Sequence, residues 1–255
     1  MSFEIIDLSL PLENYASEPY PPKIIHFDHA AGARRLSALA KVDPTDFPDS
    51  MGLANEIVEA TTHSGTHVDA PWHFGPTTEG KPAKTIDQVP LEWCYGPGVV
   101  IDVRHKQAGE EITVSDLKTA LEKISYTLRK GDIVLLHTGT DKLWGTSRYV
   151  DSQPGLGEEG TDWLVQQGIK CIGIDAWGLD RSVKYMTEDI KAGKDKGLLW
   201  PAHMYGRKRE YIQIEKLANL DQLPRPYGFT VSALPVKIAN ASGAWCRAVA
   251  IVNEE

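Results

Sequence analysis

The stretch HSGTHVDAPWHF at residues 63–74 limits this chain more than any other. Three imidazoles (His63, His67 and His73) and the carboxylate of Asp69 are packed into it, all at odd positions, with Gly65 and Pro71 between them. Gly65 and Pro71 argue against a long helix. Along an extended chain, side chains alternate between faces, so an extended reading points all four groups the same way, with Gly65 leaving room around them. Imidazole and carboxylate are ligands of Zn²⁺ and Mn²⁺. A lone histidine is most often a surface residue or a satisfied core group. Three, interleaved with Gly, Asp and Pro, read as half of a metal site in an enzyme. A mononuclear hydrolytic metal takes three protein ligands and keeps a place for water. His63, His67 and Asp69 supply three, which leaves His73, with an ordinary pKa of ~6.5, as general acid/base.

The rest of the composition bounds the setting. A chain of 255 residues with 42% hydrophobic and 24% charged residues is of ordinary globular type. No Gly-Ser linker divides it, so a single domain over 1–255 is expected. The formal net charge of −8 argues against a nucleic-acid partner. No apolar run approaches the ~18 residues of a membrane span. The opening MSFEIIDLSLPLE lacks a basic leader, which gives a cytoplasmic expectation. Three widely spaced cysteines form no disulfide framework, and Cys171 and Cys246 are expected to be buried small hydrophobes.

Periodicity predicts strands at 4–10, 56–61, 98–104, 133–139, 169–175, 209–214, 229–235 and 244–252, with the 56–61 strand leading into the histidine motif. It predicts helices near 29–41, at 158–168 and, most clearly, at 113–124. In that last helix Val114, Leu117, Leu121 and Ile124 form a stripe, and Thr113 or Ser115 is the cap. The proline-rich segment 11–55 is an irregular excursion, read as a lid or a dimerisation arm. Strands outnumber helices, which gives an α/β domain on a mixed, partly closed sheet.

HSGTHVDAPWHF resembles the signature H-x-G-T-H-x-D-x-P-x-H of the cyclase-like metal-dependent hydrolases, which include bacterial kynurenine formamidases and isatin hydrolases. GDIVLLHTGT (131–140), IKCIGIDAWGLD (169–180) and EKLANLDQLP (215–224) resemble further family segments, so the likeness runs over roughly the whole chain. It implies a swivelling β/β/α cyclase-like fold assembled as a homodimer or homotetramer. It implies metal ligands at His63, His67 and Asp69 and an acid/base at His73. Through the spacing of His203 and Glu215 it implies a second half-site. One or two ions, Zn²⁺ or Mn²⁺, would then bind, with Asp69 and Glu215 bridging in a two-metal version. Trp177-Gly178 departs from the family pattern, which has a serine where Gly178 stands.

The expected reaction is hydrolysis of a C–N bond in a small cyclic amide or aryl formamide, with Trp72, Tyr15, Tyr20, Phe47, Trp177 and Trp200 as candidate pocket walls. The alternative enzyme is a metal-dependent cyclase or lyase working through an enolate. A purely structural metal domain would need a closed four-ligand site and no spare acid/base.

Overall fold

The computed structural model describes residues 2–14 and 17–253. Walking the chain, β1 (Phe3–Asp7) precedes an excursion holding β2 (Lys23–Phe27), α1 (His29–Ala40) and β3 (Asn55–Glu59). Next come β4 (His67–Asp69), α2 (Pro71–Phe74), the ribbon β5 (Thr77–Thr78) and β6 (Lys81–Pro82), and β7 (Tyr95–Asp102). The middle third runs β8 (Glu111–Ile112), α3 (Val114–Lys123), β9 (Ile133–His137), β10 (Gly155–Leu156), α4 (Glu158–Gln166) and β11 (Cys171–Ile174). Then follow α5 (Val183–Lys191), α6 (Pro201–Tyr205), β12 (Ile212–Glu215), β13 (Tyr227–Ser232), β14 (Gly243–Trp245) and β15 (Val249–Asn253).

Nine strands form one mixed sheet in the order β1-β15-β13-β7-β9-β11-β12-β4-β14. The run β7-β9-β11-β12 is parallel, and the flanking pairs are antiparallel. The central strand β9 is buried on both faces, which is why its sequence is a continuous apolar run. Val134 and Leu136 face Leu117, Leu121 and Leu164 of α3 and α4. Ile133 and Leu135 face the opposite way, into a cluster that also takes Ile6, Val252, Val231, Ile214, Val68 and Ala244. That second cluster draws on strands from both ends of the order, which requires the sheet to curl. Leu8 N–H donating to Ala248 O and Ala218 N–H donating to Leu8 O tie the curl together.

Two expectations are corrected. Residues 55–59 pair with β2 in a separate antiparallel ribbon and do not extend the sheet strand that carries the histidines. The run 244–252 is two strands, because β14 pairs with β4 while β15 pairs with β1 and β13. Cys246 lies in the connection between them and is only half-buried, whereas Cys171 is fully buried. No helix of the described residues is long and apolar enough to cross a membrane.

Candidate active site

The strand β4 builds the site through its register. His67 and Asp69 are two residues apart and share a face. Glu215 of β12 stands directly opposite His67 in the antiparallel pair, so it joins that face. His67 Nε2 lies 3.1 Å from Asp69 Oδ1 and 3.6 Å from Glu215 Oε2. The short helix α6 brings in His203, whose Nε2 is 3.6 Å from both Asp69 Oδ2 and Glu215 Oε1.

The stretch 63–74 is not extended throughout; only 67–69 is strand. Gly65, at φ +59°, turns the chain before it, and Pro71 opens α2 after it. The imidazoles converge because turn and helix both fold back toward Asp69. His63 and His73 stack with ring centroids 4.1 Å apart. His63 Nδ1 is 2.7 Å from Asp69 Oδ1 and its Nε2 is 2.8 Å from Ser242 Oγ. Both ring nitrogens of His63 are thus engaged without an ion. His73 Nε2 sits 4.0 Å from Asp69 Oδ2. Two ligand triads result, His63–Asp69–His73 and His67–Asp69–Glu215, sharing Asp69. His73 therefore belongs by position to the same cluster as the expected ligands.

The tautomers suit a cation. His67 Nδ1 pairs with Gly65 O at 2.9 Å, which turns Nε2 toward the carboxylates. His203 Nδ1 is held closely by Asp180, which also accepts the N–H groups of Ala202 and His203. Among the described residues, His67 Nε2 and Asp69 Oδ2 are buried with no hydrogen-bond partner. Leaving such groups unpaired costs about 1–3 kcal/mol each. A divalent cation among these imidazole and carboxylate atoms removes that cost, so the residues present fit one, and the donor set suits Zn²⁺ or Mn²⁺.

Electrostatics sort the groups. Burial opposes charge on Asp69, but His73, His63 and His67 hold its carboxyl well below the usual range. Burial and the charge of Asp69 push Glu215 up. Burial works against a charged His203, yet Asp180, Asp69 and Glu215 hold it well above the ordinary value. Burial likewise opposes charge on His63, and Asp69 outweighs it, so His63 is raised. Burial drives His73 down to about 4, overriding Asp69, with His63 and His203 adding repulsion.

A cavity of about 450 Å³ opens on this cluster, bounded by Tyr20, Trp177, Trp200 and Met204. Trp72 and Phe47 do not line it. The helix α2 rotates Trp72 outward to 47% exposure, one position from His73, and Phe47 lies in the excursion between two 3₁₀ turns. Tyr15 falls outside the described residues. Beside Gly178, the Leu179 N–H donates to Glu215 Oε1 at 2.9 Å. Sequence reasoning gave no role to Asp180 or Ser242. Asp180 closes the IKCIGIDAWGLD segment and was findable there, whereas Ser242 carries no local signal.

The family model Cyclase matches residues 6–181. An isatin hydrolase from Roseibium aggregatum is 28% identical over 206 residues, covering 74% of this chain and 72% of that protein. A kynurenine formamidase from Erythrobacter litoralis is 28% identical over 193 residues, covering 74% and 73%. The solved structure of isatin hydrolase A from Ralstonia solanacearum superposes with a TM-score of 0.76 at 24% identity, covering 98% of this chain and 92% of that one, which establishes the shared fold.

Proposed function

The chain belongs to the cyclase family, and from that premise we propose that it is a metal-dependent hydrolase opening a carbon–nitrogen bond in a small cyclic amide or aryl formamide. The observation that carries this reading is the pair of buried, unpartnered atoms, His67 Nε2 and Asp69 Oδ2, each 3.6 Å from a residue, Glu215 or His203, that lines an aromatic cavity. His67, Asp69, His203 and Glu215 would hold one or two Zn²⁺ or Mn²⁺ ions, with His63 joining by exchanging its contact to Asp69 or Ser242. When bound, a divalent ion polarises a carbonyl and makes water a nucleophile near neutral pH.

The chain's own residues do the rest. His73 is neutral near pH 7, so it can take a proton from water and deliver it to the departing nitrogen. Asp180 fixes the His203 ring through Nδ1. Trp177, Trp200 and Tyr20 present flat apolar walls. The charged side chains lining the cavity away from the cluster are already paired: Glu18 with Lys216, and Arg181 with Asp189. That favours an uncharged ring over a substrate bearing an amino-acid headgroup. We assign residues 18–20 to the cavity rim and the arm 23–59 to contact with a second copy of the chain. We assign the reaction to the cytoplasm, a setting in which free cysteines such as Cys94, Cys171 and Cys246 persist.

The test is a panel of isatin, cyclic imides, formyl-anilides and lactones, assayed on metal-stripped protein with Zn²⁺ or Mn²⁺ restored. The expected result is ion-dependent turnover with one ¹⁸O from labelled water in the ring-opened acid. Turnover without uptake of water would favour the enolate cyclase or lyase. No ion-dependent turnover of any amide would defeat the hydrolase reading.

A further inference from the structure

Glu18 and Lys216 form a buried ion pair that the chemistry above does not use. Their side chains are 4% and 3% exposed, and they come from opposite ends of the chain. Lys216 Nζ lies 2.9 and 2.8 Å from the two Glu18 oxygens and 2.7 Å from His63 O. Those three acceptors use all three of its donors. Lys216 also sits in the left-handed region at φ +58°, directly after Glu215. A side chain in that region is strained, and a buried ammonium is costly unless fully paired. Two such costs at the residue beside a candidate ligand call for a compensating role.

The connections supply one. Lys216 is covalently next to Glu215 and bonds the carbonyl of His63. Glu18 Oε1 accepts the Gly65 N–H at 2.8 Å, and Gly65 O pairs with His67 Nδ1. Thr66 Oγ1 donates to Lys216 O, closing the loop through the backbone. The pair thus spans the gap between the β12 half of the ligand cluster and the turn that carries His63 and aims His67. We propose that Glu18 and Lys216 are positioning residues that set the spacing of the two halves of the metal-binding cluster, so that ion affinity depends on them. This rests on the metal reading above.

The experiment uses full-length, metal-stripped protein titrated with Mn²⁺ and with Zn²⁺ by calorimetry, alongside the melting temperature of the metal-free form. Removing one partner strands a buried charge, so Lys216→Met alone should lose both stability and affinity. The double variant Glu18→Gln/Lys216→Met strands none. It should melt close to the parent in the metal-free form, yet bind Mn²⁺ about 10-fold or more weakly, as loss of groups that orient ligands does elsewhere. Should the double variant not fold, Glu18→Gln carries the test: it strands the Lys216 ammonium, so a lower melting temperature is expected together with weakened Mn²⁺ binding in the folded protein. A folded variant of either kind with parental affinity for both ions overturns the proposal. A parent chain that takes up neither ion overturns the metal reading itself, which is a separate result.

Discussion

His73 decides how the cluster divides its labour. Its ring stacks on His63 and stands within reach of Asp69, so position alone would let it bind an ion. Its pKa of about 4, set mainly by burial, keeps the ring neutral near pH 7, as the proposed acid/base role requires. His73→Ala should lower kcat/KM by about 100-fold. Mn²⁺ affinity should stay close to the parent's, because His67, Asp69, His203 and Glu215 are untouched. A parallel fall in affinity, read by the same calorimetry, would make His73 a ligand instead, and full activity would remove it from the chemistry. His63, His67, Asp69 and His73 were legible because they lie in one short stretch. His203 and Glu215 were not legible from spacing alone, since a strand register and a distant helix bring them to β4. Trp72 was misplaced because it was read only as part of the motif: at an even position it points away from the four odd-numbered groups even along an extended chain, and the helix after Ala70 keeps it out. In that helix, α2, each residue turns ~100° from the last, and Trp72 points away from His73.

The elements read from the sequence were those whose cause is local. The helix α3 begins at a reciprocal cap: Thr113 Oγ1 accepts the Asp116 N–H, and Asp116 Oδ2 accepts the Thr113 N–H at 2.8 Å. Asp116 also meets Lys106 Nζ and His105 Nε2. Burial tends to raise its pKa, but Thr113, Lys106 and His105 hold it well below its ordinary 3.8. A folded pKa below the unfolded one stabilises at higher pH, and the contribution fades as pH falls through 3.8 toward the folded value. Asp116→Asn should therefore cost about 1 kcal/mol near pH 7. Urea midpoints of parent and variant should keep their gap down to about pH 4 and converge only as the buffer is taken well below 3.8, and a gap that persists to the lowest pH at which both fold would contradict the charge argument. The strands β4 and β14 were read only as parts of longer extended runs, 63–74 and 244–252, because three residues carry no period of their own. The single run 244–252 had to break for a topological reason: no straight strand can pair with both β4 and β1.

At the scale of the molecule, the excursion separates into two parts with different surroundings. Residues 18–20 lie against the cavity, with Glu18 buried and Tyr20 at the rim. The ribbon β2–β3 and α1 stand apart from the main sheet. Gly32 of α1 meets the 52–53 segment so closely that a Cβ there would sit 2.1 Å from Leu53 O, so the arm is internally well built. Yet β3 is exposed along its whole length, and Ile57, Val58, Ile25, Leu53 and Met51 lie open on the arm. A two-stranded ribbon is marginal in water without something packed on it, and a cluster of open apolar side chains marks an interaction surface. A second copy of the chain satisfies both needs. Sedimentation at micromolar concentration should give a dimer or tetramer, and Ile57→Asp should shift it toward monomer with a lower melting temperature that no longer rises with protein concentration. If the parent sediments as a monomer across that range and the variant melts as the parent does, the arm has no such partner. Of the two readings of 11–55, only the lid would then stand, on residues 18–20.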